Sequence, residues 1–396
     1  MSSGIYTIRP RDPLFARSAS PFTADPGAQA TTLDWPLPQT IAGALRTHIG
    51  EARRIDWSDE IERKQINSIA VHGGFLIERG VDDAGWMPFF PAPHDAHIFH
   101  DETTGNPGIH AVRPKPLNSG EGVNFPRNNG LTLEPLNIEH DEKPLPGYDL
   151  WSLNDINTWL LDLEQPAPPA RHRGRLAQET RMHVTVESTT GTAKEGHLFA
   201  TSGIAFSPTT FKTPEREMAR QAMLCQITTP DDIGPLETPS YFTLGGEQRQ
   251  ARLGPKPALS VNPWDVPKAI VEALAGQTTF RLQLVTPALF RTGWYPGWIS
   301  QAHRDRFPDV VKGLNCSLES AIVGRRVPVS GWNLRQICER PLRYAAPAGS
   351  VYFLSVPAPL TIDQIKALWL APISDGRFDR EDGYGLAIPG VWNRKG

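Results

Sequence analysis

The sequence predicts an α+β protein of two units with Gly- and Pro-rich loops. Patterns typical of strands and of helices are mixed along the 396 residues. A Pro- and Ala-rich segment, residues 165–170, separates two such mixed halves. The 38 prolines are about twice the usual share of about 5%, and they are spread along the chain with 11 Trp and 16 Phe. Since proline belongs in turns, edge strands and first helical turns, this spread indicates a folded, loop-rich protein.

The first half begins with a strand and a helix. Residues 5–8 alternate weakly and predict the strand. Ile41, Ala44, Leu45 and Ile49 recur at helical spacing, with Thr40 as the predicted N-cap. Short strands are predicted at 75–77 and 87–90, and a second helix at 155–163 with Asn154 as its cap. Residues 103–147 form a loop-rich segment with an acidic stretch at 134–141.

The second half restarts with strands. They are predicted at 183–186, 196–200, 280–285, 350–356 and 386–388, and the fourth is buried by its apolar density. A helix is predicted at 361–370, with Thr361 as its cap. We place the domain boundary in the Pro-rich segment, which gives predicted domains 1–165 and 166–396.

The composition excludes several classes of protein. The 40 Lys and Arg nearly balance the 43 Asp and Glu, so any nucleic-acid site has to come from local clustering or a shared partner. The three cysteines form no CxxC pair, which fits reduced thiols better than disulfides or zinc. No apolar run reaches membrane-spanning length, and residues 1–12 lack the pattern of a secretory signal. We therefore expect a cytoplasmic protein that needs no membrane.

The search for catalytic motifs is negative: the sequence has no Walker A loop, no HExxH, no GxSxG and no GxGxxG opening a helix. His94, His97 and His100 could ligate a metal, but they follow a Pro-Ala-Pro run without a helical stripe. We expect a solvated loop or a half-buried strand there, and neither a metal nor a cofactor. His48 and His183 could each act as a general base, although an ordinary packed or exposed histidine is the more common case.

Arginine is locally clustered beside small residues, an arrangement that lets a phosphate backbone approach closely. One cluster spans residues 171–181, a second follows Gly245 and Gly246, and a third spans residues 325–343. A solvated surface or a protein interface explains such clusters equally well. A Gly-Tyr-Gly loop at residues 383–385 favours RNA, because glycines permit close approach and Tyr384 could stack or support the loop.

The order of several segments resembles the RAMP family of CRISPR-associated proteins, and specifically the third subunit of the Cmr (type III-B) effector complex. The segments that carry this resemblance run from the first strand to the end of the chain: 9–17, 36–46, 181–184, 192–199, 244–249, 286–290, 347–353 and 383–390. Residues 94–130 match the pattern poorly and are interpreted as an insertion.

The resemblance implies two ferredoxin-like (RRM-like) modules and a subunit that is not an enzyme. Such a subunit holds the repeat-derived 5′ tag of the CRISPR RNA. It docks on the large polymerase-cyclase subunit and on the backbone subunit, and it meets target RNA only indirectly. The predicted RNA-binding residues are Thr40, Arg46, Arg181, His183, Lys194, Gly245, Gly246, Arg249, Arg252, Gly383, Tyr384 and Gly385.

Two other functions stay open at this point. One is a metal-independent endoribonuclease of the same superfamily that processes the CRISPR RNA precursor, with His48 or His183 as the base. The other is a purely architectural subunit that never touches RNA.

Overall fold

The computed structural model describes residues 2–17, 29–30, 32–79, 84–115, 142–206, 220–299, 308–333 and 337–393. The acidic stretch predicted at 134–141 and much of the surrounding loop-rich segment lie outside these residues. The described helices are α1 Pro38–Ala52, α2 Glu60–Asn67, α3 Leu153–Trp159, α4 Lys268–Leu274, α5 Asp309–Lys312, α6 Ile362–Leu368 and α7 Arg377–Glu381. The strands of the first half are β1 Ser2–Pro10, β2 Gln29–Ala30, β3 Ala70–Arg79, β4 Met87–Pro91, β5 Ala96–His100, β6 Pro107–Ala111, β7 Leu150–Ser152, β8 His172–Arg173, β9 Gln178–Val186 and β10 Ala193–Ile204. Those of the second half are β11 Arg220–Thr229, β12 Ser240–Thr243, β13 Gln250–Gly254, β14 Thr279–Leu284, β15 Ser317–Ile322, β16 Val327–Val329, β17 Trp332–Asn333, β18 Cys338–Glu339, β19 Arg343–Ala345, β20 Val351–Ser355, β21 Ala371–Pro372 and β22 Leu386–Val391.

The chain forms two compact units that are built from alternating segments. Unit 1 comprises Met1–Trp86, Arg175–Ala258 and Pro328–Tyr344, and unit 2 comprises Met87–Gly174, Leu259–Val327 and Ala345–Gly396. Both contain helices and antiparallel strands, which confirms the predicted α+β class. The predicted boundary between residues 165 and 166 stays a prediction, and segments from both sides of it enter each unit.

Unit 1 is organised around an antiparallel sheet in the order β12-β13-β1-β11-β3. The helix α1 packs on β3 and β12. Its apolar side chains at helical spacing, Ile41, Leu45 and Ile49, are all buried, as the periodicity predicts. A second, smaller sheet has the order β2-β10-β9.

The start of α1 differs from the prediction. The helix begins at Pro38, with Leu37 in the N-cap position and no side-chain cap. Proline is favoured in the first helical turn, because it lacks the amide that would have no partner there and its φ already suits the helix. Thr40 therefore lies inside the first turn, where its amide donates to the Leu37 carbonyl, and the prediction that it is the N-cap was wrong.

Unit 2 has its main sheet in the order β15-β20-β14-β22-β21, with α4 and α6 packed on β22. The predicted strand at 350–356 is β20, and its apolar residues are buried as expected. The predicted capping of α6 is confirmed, since Thr361 and Gln364 form a reciprocal capping box. The helix α3 is shorter than predicted and is capped by Ser152, not Asn154.

The strand β5 contains His97 and His100 and pairs with β6, which confirms the half-buried strand expected there. Asp95, directly before β5, has no exposed surface and lies at the centre of a buried polar network in unit 2. It forms an ion pair with the buried Arg281 of β14, and a second with Arg113 at 2.7 Å. Its other oxygen accepts from the indole of Trp159 at 2.8 Å.

The charge of Asp95 is stabilised where it lies. Burial by itself would raise the pKa of the Asp95 carboxyl, but the guanidinium groups of Arg281 and Arg113 outweigh burial and hold the pKa below its ordinary value. The network joins the residue before β5 to α3 and β14, so we assign Asp95 a structural role. Within the described ranges, no cluster of three or more His, Cys, Asp or Glu has the arrangement of a metal site.

None of the helices described here combines the length and the apolar character that crossing a membrane requires.

Candidate nucleic-acid interface

The twelve predicted RNA-binding residues divide between the two units. Nine of them fall in unit 1, and residues 383–385 fall in unit 2. The nine belong to three places: the hairpin of β9 and β10, the turn between β12 and β13 with β13 itself, and the helix α1.

The β9–β10 hairpin carries three of the predicted residues. Arg181 is exposed and forms an ion pair with Glu179 at 2.6 Å. The imidazole Nε2 of His183 lies 2.9 Å from the Thr201 hydroxyl, and its ring stacks on Phe199 with centroids 5.2 Å apart. Lys194 is exposed at the start of β10. Arg181 and His183 alternate with apolar residues, so they share one face of the hairpin.

The opposite face of this hairpin is apolar and exposed. Met182, Val184 and Val186 alternate along β9, and Leu198 pairs with Val184 across the ladder. Their exposed fractions lie between 44% and 61%. An exposed apolar stripe of this kind is typical of a surface that another molecule covers.

The glycines between β12 and β13 serve packing within unit 1. Gly245 has φ +78°, and a Cβ there would lie 2.6 Å from the Phe15 carbonyl oxygen. The Gly246 amide donates to that same carbonyl at 2.8 Å. These glycines are therefore explained by the close approach of residue 15, without RNA. Arg249, just beyond them, pairs with Glu247 at 2.5 Å.

A cross-strand row of side chains lies on β1, β13 and β12. In the ladder, Arg9 is opposite Arg252, and Arg252 is opposite Tyr241. Directly opposed residues point to the same face, so the three side chains line up across about two strand spacings, or about 10 Å. Phe242 alternates with Tyr241 and stacks on His48 of α1, with ring centroids 5.4 Å apart. The row is thus on the sheet face opposite α1.

The row combines positive charge with an exposed aromatic ring. Tyr241 is 60% exposed, while Arg9 and Arg252 are half-buried. The guanidinium of Arg9 lies 4.8 Å from the ring centroid of Trp86, a cation–π contact. The Nε of Arg252 is buried and has no hydrogen-bond partner in the part of the chain that the structure describes. None of the three strands contains an Asp or Glu.

The two predicted residues on α1 serve the fold. Arg46 donates from Nε and Nη2 to the Ile69 carbonyl at 3.0 and 2.7 Å, which ties α1 to the residue before β3. Thr40 is half-buried in the first turn. The geometry therefore gives neither residue the form of an exposed phosphate ligand.

The Gly-Tyr-Gly loop is buried in unit 2. The Gly383 amide donates to the Arg380 carbonyl and the Gly385 amide to the Pro287 carbonyl, so both donors are already used. Tyr384 has no exposed surface and cannot offer its ring for stacking. The loop therefore packs within unit 2 and has no exposed ring, and RNA binding by residues 383–385 stays a prediction.

The two candidate bases also have internal partners. The Nε2 of His48 lies 2.9 Å from the Ser240 hydroxyl, and burial lowers the pKa of this imidazole despite the nearby Glu51. His183 uses its Nε2 for Thr201. Both rings also stack on a phenylalanine, as an ordinary structural histidine does.

A model of the CRISPR-associated protein family Cas_Cmr3 matches residues 6–392. The chain belongs to the Cmr3 family. This confirms the resemblance to the third Cmr subunit that the ordered segments indicate.

Two cryo-EM structures contain a chain similar to this Cmr3-family member. Both are Type III-B Cmr-beta complexes bound to cognate target RNA, one of them together with AMPPnP. In each case the identity is 14%, and the match covers 88% of this chain and 86% of the other, with TM-scores of 0.47 and 0.46. A comparison with curated protein sequences finds no match.

Two residues of the row on the unit 1 sheet, Arg9 and Tyr241, are absent from the RNA-binding residues that the sequence predicts. The signal for Tyr241 is weak, since β12 has only four residues. Arg9 lies in the family-like segment 9–17, but its place beside Arg252 depends on pairing between strands some 240 positions apart.

Proposed function

We propose that this chain is a non-catalytic, cytoplasmic subunit of a type III-B Cmr complex that binds the 5′ tag of the CRISPR RNA. Membership of the Cmr3 family supports the Cmr assignment. The observation that carries the RNA-binding role is the row Arg9, Arg252 and Tyr241, which places two cations and an aromatic ring on one face of three strands that contain no Asp or Glu. Phosphate contacts from Arg and stacking on aromatic rings are the two usual means of holding single-stranded RNA.

The strand orders support two ferredoxin-like modules. In unit 1, the four strands of the module are, in chain order, β1, β3, β11 and β13. Across the sheet they lie in the order β13-β1-β11-β3, which is fourth, first, third, second. In unit 2, the four strands are, in chain order, β14, β15, β20 and β22. Across the sheet they lie in the order β22-β14-β20-β15, again fourth, first, third, second, and all neighbours are antiparallel. This is the order of a ferredoxin-like sheet, in which the first and third strands are central. We propose this description for both units.

The proposed partners are the CRISPR RNA, the large polymerase-cyclase subunit and the backbone subunit, with target RNA met only indirectly. Docking on protein subunits agrees with the exposed apolar face of the β9–β10 hairpin, which has the character of a protein contact. Arg181 and Lys194, exposed on the same hairpin, remain candidates for RNA contact.

Replacing Arg252 by Gln should weaken guide-RNA binding. Loss of a charge-assisted phosphate contact costs about 1.5–3 kcal/mol, and the slope of log affinity against log salt should fall by about 1. We would measure guide-RNA affinity of the assembled complex at several salt concentrations. Lys64→Gln, an exposed cation paired with Glu60 on α2, is the matched control and should leave affinity unchanged. Equal behaviour of the two variants would contradict the proposal that this sheet face binds RNA.

Replacing His48 or His183 by Ala should leave target-RNA cutting by the assembled complex intact. Both imidazoles are engaged inside unit 1, so the expected cost is to stability and not to chemistry. The purified chain, incubated with repeat RNA in EDTA, should yield no cleavage product. Metal-independent cleavage that either histidine variant abolishes would establish the endoribonuclease function in place of the proposed one.

A further inference from the structure

The row Arg9, Arg252 and Tyr241 offers a stacking surface as well as positive charge, because the exposed ring of Tyr241 lies at its end. The strand β12 is the edge strand of the unit 1 sheet as described, so Tyr241 is accessible from the side as well as from the face. Tyr241 has 60% of its surface exposed, so its apolar ring face is available for stacking against another flat ring.

Arg252 stands directly beside Tyr241 and has an unmet requirement. Its Nε is buried, with no acceptor among the described residues, and burying a donor without an acceptor is unfavourable. Arg252 as a whole is only half-buried, so a small shift of its side chain would let the guanidinium donate to an anionic oxygen on this face. The neighbouring Arg9, held against the ring of Trp86, adds a second positive charge to this face.

A flat aromatic base and an anionic phosphate both belong to a nucleotide. We propose that an unpaired base of the CRISPR RNA stacks on Tyr241 while the adjoining phosphate binds Arg252, so that this edge of the sheet fixes one nucleotide in place. The assignment rests on the proposed RNA-binding function and gives it a specific contact. Stacking is tolerant of base identity, since every base has a π-face, so this contact sets position and not sequence preference.

The test uses the assembled complex, with variants of the full chain. Tyr241→Ala should weaken guide-RNA binding about tenfold, whereas Tyr241→Phe keeps the ring and should stay within about twofold of wild type. Tyr344→Ala removes another exposed tyrosine of unit 1 and should have no effect. The three variants are compared at one salt concentration, after circular dichroism has confirmed that each is folded.

Guide RNAs with a single abasic nucleotide, moved along the 5′ tag, identify the stacked base. At one position, removing the base should weaken guide binding to the wild-type complex about tenfold. In the Tyr241→Ala complex, the abasic and the intact guide should bind equally tightly at that position. If Tyr241→Ala binds every guide as wild type does, the stacking contact is refuted. If Tyr241→Ala instead lowers the amount of another protein subunit in the complex, the row is a protein contact and the inference is equally wrong.

A separate measurement distinguishes this failure from failure of the proposed function. Guides that carry 4-thiouridine in the tag are irradiated in the wild-type complex, and crosslinks to this chain are mapped. Crosslinks elsewhere on the chain, with no effect of Tyr241→Ala, would refute the stacking contact alone. An absence of crosslinks at every tag position would overturn the RNA-binding function together with the inference.

Discussion

Replacing Asp95 by Ala is expected to lower the free energy of unfolding of the full chain by about 3–5 kcal/mol. The carboxylate has no exposed surface and is the common partner of Arg281, Arg113 and the Trp159 indole. Its removal leaves the buried guanidinium of Arg281 without its opposite charge. Urea denaturation followed by circular dichroism and by tryptophan fluorescence gives the change.

Two further variants make this expectation sharp. Asp309→Ala removes a carboxylate that also pairs with a cation, Lys312 at 2.6 Å, but on an exposed surface, and it should leave the midpoint unchanged. The double variant Asp95→Ala with Arg281→Met removes both charges and should regain much of the lost stability, because an apolar side chain needs no partner. A double variant as unstable as Asp95→Ala alone would show that the ion pair is not what stabilises this core.

The same pair predicts the direction of a pH effect. Since the folded-state pKa of Asp95 lies below its ordinary value, the carboxylate contributes stability above the unfolded pKa of about 3.9 and loses it as pH falls toward the folded pKa. The stability difference between wild type and Asp95→Ala should therefore be constant near neutrality and shrink below about pH 4. A difference that grows on acidification would contradict the charge assignment.

Replacing Gly385 by Ala is expected to destabilise unit 2 by about 2–4 kcal/mol, from a left-handed backbone and from overpacking together. Its φ is +77°, and a Cβ would lie 2.6 Å from the Ser374 hydroxyl and 2.8 Å from the Ser374 amide nitrogen. Gly385→Asp adds a charge in the same enclosed place and should be worse still. Thermal unfolding of the full chain measures both changes.

The matched control is Gly276→Ala in the same unit. Gly276 has nearly the same backbone, φ +83°, but a Cβ there meets nothing within 4 Å. It should lose only the conformational cost of about 1–2 kcal/mol. If the two alanine variants unfold at the same temperature, packing against Ser374 is not what requires Gly385. Any loss of guide RNA with Gly385→Asp would follow from unfolding, because the loop is buried.

The sequence predicts those features that depend on neighbours along the chain. The helix α6 and its cap are predictable because the capping residue Thr361 and the apolar residues that follow it are close together in the sequence. The cap of α1 was misassigned to Thr40 because Pro38 starts the helix two residues earlier. Gly383 and Gly385 are predicted RNA-binding residues, and both have a positive φ in the structure. The sequence does not distinguish a glycine needed for RNA from one needed for packing.

The candidate site depends on register, which a single sequence leaves open. Arg9 and Arg252 are side by side only because β13 pairs with β1 in one particular alignment. A shift of one residue would turn Arg252 to the face that α1 covers. The clustering of Arg249 and Arg252 along the chain was visible, yet these two differ: the first is paired with Glu247, and the second points into the row.

The segment order of unit 1 has a consequence for synthesis on the ribosome. The strand β11 lies between β1 and β3, but it is made some 140 residues after β3. At about 5–20 residues per second, the nascent chain waits on the order of ten seconds with two strand edges facing an empty place in the sheet. Unpaired edges invite pairing with other chains, so this interval is when a nascent-chain chaperone has most to protect.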